Sequence, residues 1–248
     1  MGKLLLFSTV LCAALATVVC AATSVSDHEL VAKREYDDAY TQNSPDIYDE
    51  VVAMDEKQDD KNVKIFFRRG VSYVRWGRTV CPPKAEVVYV GRAAASHYSH
   101  KGGGANYQCV TLKPENFDFG PGTVDGSLIY GTEYEVGGNV PKALHTLQNN
   151  NVPCVVCYVA TRSTKIMVPG TYKCPAKWTT EYYGFLMAGH HGHHRSSFEC
   201  VDKTPEKADG GQADENGALF YFVEPRCGSL PCPPYDQQKE MTCAVCTR

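Results

Sequence analysis

Two stretches of the chain, 81–157 and 174–246, each open on Cys-Pro, close on C-x-x-C and carry the same residues at the same offsets between. Counting from Cys81 and Cys174, Lys84 matches Lys177, Tyr89 matches Tyr182, Gly91 matches Gly184 and Ala95 matches Ala188. His97 and His190 follow, then His100 and His193. After a two-residue slip, Cys109-Val110 aligns with Cys200-Val201, Pro114-Glu115 with Pro205-Glu206, and "GSLIYGTE" (126–133) with "GALFYFVE" (217–224). The closing pairs are Cys154/Cys157 and Cys243/Cys246. So many coincidences in register mark a tandem duplication, and the body must fold as two similar halves, 62–165 and 166–248.

The body holds ten cysteines: Cys81, Cys109, Cys154, Cys157, Cys174, Cys200, Cys227, Cys232, Cys243 and Cys246. An even number behind a secretory signal argues for five disulfides. Zinc is the competing reading of C-x-x-C, but "CVVC" and "CAVC" stand almost ninety residues apart, far outside zinc-ribbon spacing. Each half has an early Cys-Pro, a middle cysteine and a terminal C-x-x-C, so the simplest scheme closes each half on itself. On a strand, residues i and i+3 point to opposite faces, so the two cysteines of a C-x-x-C take different upstream partners. Two assignments satisfy that rule. Cys227 and Cys232 have no counterpart in the first half and are expected to pair across "CGSLPC".

The apolar runs of the body are short and rich in β-formers: "VSYVRW", "AEVVYVG", "CVVCYVA", "KIMVPG", "EYYGFLM" and "ALFYFVE". Gly, Pro and Asn punctuate them, and no long segment has a 3.6-residue period. The expected fold class is all-β: a disulfide-rich tandem duplication of two similar β subdomains.

The amino-terminal segments differ. Residues 1–22 read as a signal peptide, with Lys3 ahead of the apolar "LLLFSTVLCAALATVV" and small residues before cleavage after Ala21 or Ala22. Cys12 and Cys20 leave with it. No later run of about 18 apolar residues follows, so the sequence predicts a secreted, extracellular protein with no membrane span. Residues 23–61 set twelve acids against Lys33, Arg34, Lys57 and Lys61, a net charge of −8, and leave 62–248 at about +4. This cysteine-free stretch has few large apolar residues and reads as a disordered acidic tail. Lys33-Arg34 is a dibasic processing candidate; 23–34 is then either a short propeptide or part of an uncut tail. Its acids also admit weak attraction of calcium or mineral.

Several stretches carry a resemblance: "YVRWGRTVCP", "SHYSHKGGGANYQC", "NNVPCVVC", "TYKCPAKWTTEYYGFLMA", "ADENGALFYFVE" and "CGSLPCPPY". Together they make nearly all of 70–248 resemble the carboxy-terminal module of invertebrate short-chain, spongin-like collagens. More remotely, the plan is similar to the non-collagenous domain of type IV collagen, itself two tandem β-rich halves. The type IV pattern implies Cys81–Cys157 and Cys109–Cys154 in the first half, and Cys174–Cys246, Cys200–Cys243 and Cys227–Cys232 in the second. One departure stands out. Residues 23–61 contain no glycine, and without glycine at every third residue no triple helix forms there.

Three functional readings follow. The first is a secreted structural or interaction protein of the extracellular matrix, binding matrix proteins or copies of itself as a homo-oligomer. The second is divalent-metal binding by His97, His100, His190 and His193, because neutral imidazole ligates zinc, copper and nickel. The bland alternative is an exposed polar loop, since one H-x-x-H is only half of a usual four-ligand set; His191 and His194 lack first-half partners. The third, a hydrolase, rests on Glu133 and Glu224 at matching strand positions. Against it, duplicated strand residues are usually structural, no G-x-S-x-G, H-E-x-x-H or phosphate loop occurs, and every body cysteine is committed to a bridge. The expectation is therefore no enzyme, no catalytic residue and no cofactor beyond such a metal. Basic residues are not clustered, so nucleic acid is not an expected partner.

Overall fold

The computed structural model describes residues 70–117, 125–138, 140–211 and 213–248. The expected signal peptide 1–22, the acidic segment 23–61 and its Lys33-Arg34 processing candidate lie outside them. The first half comprises β1 (Val71–Trp76), β2 (Glu86–Ala95), β3 (Gln108–Thr111), β4 (Tyr130–Glu135) and β5 (Pro153–Val159), with a helical turn α1 (Lys142–His145) before β5. The second comprises β6 (Lys165–Pro169), β7 (Thr179–Ala188), β8 (Glu199–Asp202), β9 (Ala218–Phe222) and β10 (Thr242–Thr247). The protein is all-β and disulfide-rich.

The halves share one strand plan. β5 lies between β1 and β2, and β2 pairs onward with β3 and β4, all antiparallel. β10 lies likewise between β6 and β7, and β7 pairs with β8 and β9. Two parallel contacts join the halves: β1 meets β8 at Trp76 and Val201, and β4 runs beside β9 from Thr132/Ala218 to Glu135/Tyr221. Phe220 of β9 thereby packs edge-on to Trp76 and 4.1 Å, centre to centre, from Tyr107. Both clusters of buried apolar side chains draw on both halves, so the core is shared.

The bridges are Cys81–Cys157, Cys109–Cys154, Cys174–Cys246, Cys200–Cys243 and Cys227–Cys232. They are the pairs the type IV pattern implies. Cys154 packs in one core cluster and Cys157 in the other, as side chains three apart on a strand must. The four long bridges span 76, 45, 72 and 43 residues, and each of this kind typically stabilises by about 2–4 kcal/mol.

The duplicated Gly91 and Gly184 have a steric cause. A Cβ on Gly91 would lie 2.3 Å from the Val110 carbonyl oxygen, and one on Gly184 would lie 1.9 Å from that of Val201. The backbones of β3 and β8 cross their neighbours at these points, and only glycine leaves room. The duplicated Lys84 and Lys177 both take positive φ, in tight turns closed by Ala85 N–H to Pro82 and Trp178 N–H to Pro175. Gly184→Ala should cost at least about 2 kcal/mol in chemical denaturation with the bridges intact. Gly126→Ala, with open space around the added methyl, should be near neutral.

Candidate functional site

Each H-x-x-H forms a tight turn immediately beyond a long strand, β2 in one half and β7 in the other. His100 N–H donates to the His97 carbonyl at 3.0 Å, and His193 N–H to that of His190 at 2.9 Å. In both turns the first imidazole also accepts a backbone N–H at Nδ1, from Ser99 (3.2 Å) and from Gly192 (3.1 Å). The paired rings stand 4.7 Å apart in His97/His100 and 5.2 Å in His190/His193. A tyrosine supports each pair: Tyr130 lies 5.0 and 5.5 Å from the first, and Tyr221 lies 5.1 and 5.7 Å from the second. The sequence reading passed over these tyrosines, although they align with one another in "GSLIYGTE" and "GALFYFVE".

The two turns do meet. The Tyr98 ring lies 4.5 Å from that of His193, and His194 N–H donates to the Tyr98 carbonyl at 3.0 Å. The four shared histidines nevertheless divide between two concavities. His97, His100 and His193 line a cavity of about 300 Å³, whereas His190 and His191 line a groove of about 920 Å³ that also holds Tyr221 and Glu224. Among the described residues, the one group of three or more His, Cys, Asp or Glu ligand atoms within 4.8 Å of one another is Glu133, Glu135 and Asp214. Of these, Glu133 is buried and accepts the backbone N–H groups of Glu215 and Asn216, while Gln148 donates to Glu135 at 2.6 Å. Glu224, its counterpart in the repeat, is exposed and faces Arg226 at 3.6 Å.

Electrostatics is concentrated at the seam between the halves. Along β1, Tyr73 donates to Glu181 at 2.8 Å, Arg75 to Asp202 at 2.8 Å, and the Trp76 indole to Glu199 at 2.9 Å. Arg162 and Thr247 also bond Glu181. Burial, then the hydrogen bond and charge of Glu181, push the Tyr73 phenol far above its ordinary range. Burial likewise raises Glu199, which the hydrogen bonds from Ser197 and Trp76 partly offset. The Tyr182 hydroxyl sits 2.8 Å from the Val74 carbonyl oxygen and 2.9 Å from that of Cys200. Its counterpart Tyr89 keeps only the intra-half bond, to the Cys109 carbonyl.

No protein-family model matches the chain. No helix among the described residues is long and apolar enough to cross a membrane. The five bridges are consistent with an extracellular protein.

The histidine turns carry a pH signature. Burial, then His100, lowers the pKa of His97; burial, then His190 and His191, lowers that of His193. The unfolded chain therefore binds more protons than the folded one as pH falls through about 6.5, so stability falls with pH from there. Glu135 and Glu199, raised by burial, act in the opposite sense at more acidic pH. The thermal midpoint should drop between pH 7.5 and 6.0, to a smaller extent in a His97→Gln/His193→Gln variant. An equal drop in that variant would assign the effect elsewhere.

Proposed function

We propose that this protein is a secreted structural module of the extracellular matrix, of the collagen-type non-collagenous kind. In this reading it joins copies of itself by repeating, between chains, the seam that joins its own halves. The observation carrying the reading is a one-sided burial of equivalent residues. Tyr182 is 4% exposed because β1 covers it, while Tyr89 in the same place of the first half is 38% exposed. Val201 and Glu181 are buried, yet their counterparts Val110 and Val88 are exposed. Phe220 is 0% exposed against β4, while Ile129, which aligns with it, is 58% exposed beside exposed Leu128.

The chemistry of the uncovered surface supports a second copy as its occupant. β6 stands in the second half where β1 stands in the first, so Ile166, Val168 and Pro169 replace Tyr73, Arg75 and Trp76. On the receiving side, Val88, Thr111 and Gln108 replace Glu181, Asp202 and Glu199. Within the chain, hydrogen-bond donors meet acids; between chains, Ile166 and Val168 would meet Val88 and Thr111. Both sides of the contact have lost their charge together, which spares either from burying an unpaired ion. Such an interface is heterologous, and a heterologous contact closes into a ring when its rotation permits. The module would thus supply a multivalent, bridge-hardened node for matrix assembly, with binding as its task and no catalysis.

Sedimentation velocity of the full secreted chain over a wide concentration range tests this. The expected result is conversion to one closed species of fixed size. Val88→Glu and Ile129→Asp, both at exposed positions, should each weaken it at least about tenfold. A monomer at every concentration, or association indifferent to both substitutions, would overturn the reading.

A further inference from the structure

The cavity of about 300 Å³ between the two histidine turns shares no lining residue with the exposed positions invoked for self-association. One wall is the loop "KGGG", residues 101–104. The backbone N–H groups of Gly102, Gly103 and Gly104 donate to no acceptor among the described residues. Gly103 has φ +96°, and a Cβ there would lie 2.2 Å from the Ser96 hydroxyl oxygen, so the loop can take this course only with glycine. Ser96 in turn donates its hydroxyl to the Gly104 carbonyl at 3.0 Å and holds the loop down.

The remaining walls bear one sign of charge. Lys101 and Arg195 line the cavity, and neither forms an ion pair among the described residues. No carboxylate of the described residues lines it. His193 also lines it, its ring 4.5 Å from that of Tyr98. Successive backbone N–H groups without an acceptor, on the wall of a cavity that two cations also line, suit an anion. A metal cation fits the same walls poorly: the two fixed positive charges repel it, and no three histidine nitrogens converge there.

We propose that this cavity binds a tetrahedral oxyanion borne as a sulfate or phosphate ester. The three glycine N–H groups hold its oxygens, and Lys101 and Arg195 neutralise it. The cavity is open to solvent, so the rest of a sugar or other alcohol bearing the ester extends outward.

The test is an amide-resolved NMR titration of the intact protein with inorganic sulfate and, separately, inorganic phosphate. Both should shift the Gly102–Gly104 amides. A sulfated disaccharide and a sugar phosphate then distinguish the source of the ester, the tighter of the two identifying it. A Lys101→Ala/Arg195→Ala variant, altered at two exposed side chains, should bind at least about tenfold more weakly while its other amides stay in place. Unmoved glycine amides would overturn the proposal, as would equal affinity in the double variant. So would zinc moving this loop when neither anion does.

Discussion

Everything in this fold hangs on the central strand of each half. β5 and β10 each carry two cysteines three residues apart, which a strand must aim at opposite faces. One ties the strand back to the Cys-Pro turn that opens the half, and the other ties it to the short strand that carries the middle cysteine, β3 or β8. With both faces pinned, neither half needs a large apolar core of its own. The core can then be spent on the seam, where side chains of both halves interleave around Trp76, Tyr134 and Phe220. Gly91 and Gly184 belong to the same economy of space, since the bridged strand passes too close there for any side chain.

A duplicated sequence does not oblige a symmetric pairing of its halves. Here β4 and β9, equivalent strands, lie parallel in a register that no twofold exchange reproduces. The contact is head-to-tail: the first half presents β1 and β4, and the second receives them. Each half is therefore left with one unspent surface, and the exposures of Tyr89, Val110 and Ile129 beside the burial of Tyr182, Val201 and Phe220 measure that directly. The acids of the receiving face exist because β1 brings an arginine, an indole and a phenol to meet them. Where β6 offers isoleucine and valine, the receiving face has none.

The histidines show where sequence reasoning stops. That His97 and His190 are equivalent, and His100 and His193 likewise, was legible from spacing alone. The structure brings the two turns together through Tyr98 and His193. What spacing does not contain is the direction each ring faces. The turns put three of the four shared histidines into one cavity and send His190 to another, and each pair leans on a tyrosine distant in sequence. Glu133 makes the same point. Its match with Glu224 was visible, but its burial under two backbone N–H groups depends on a loop from the other half.

By itself, the sequence determined the β class, the two-fold repetition and the even complement of cysteines, because these follow from alternation, spacing and count. It narrowed the bridges to two assignments, and resemblance to the type IV pattern implied the one the structure contains. Only the tertiary structure decided how the halves meet, which of two equivalent surfaces is covered, and that "KGGG" and "HHGHH" enclose a cavity together. Those outcomes rest on contacts between residues far apart in the chain. Equivalent residues have identical local rules, and only their neighbours across the seam make one buried and the other exposed.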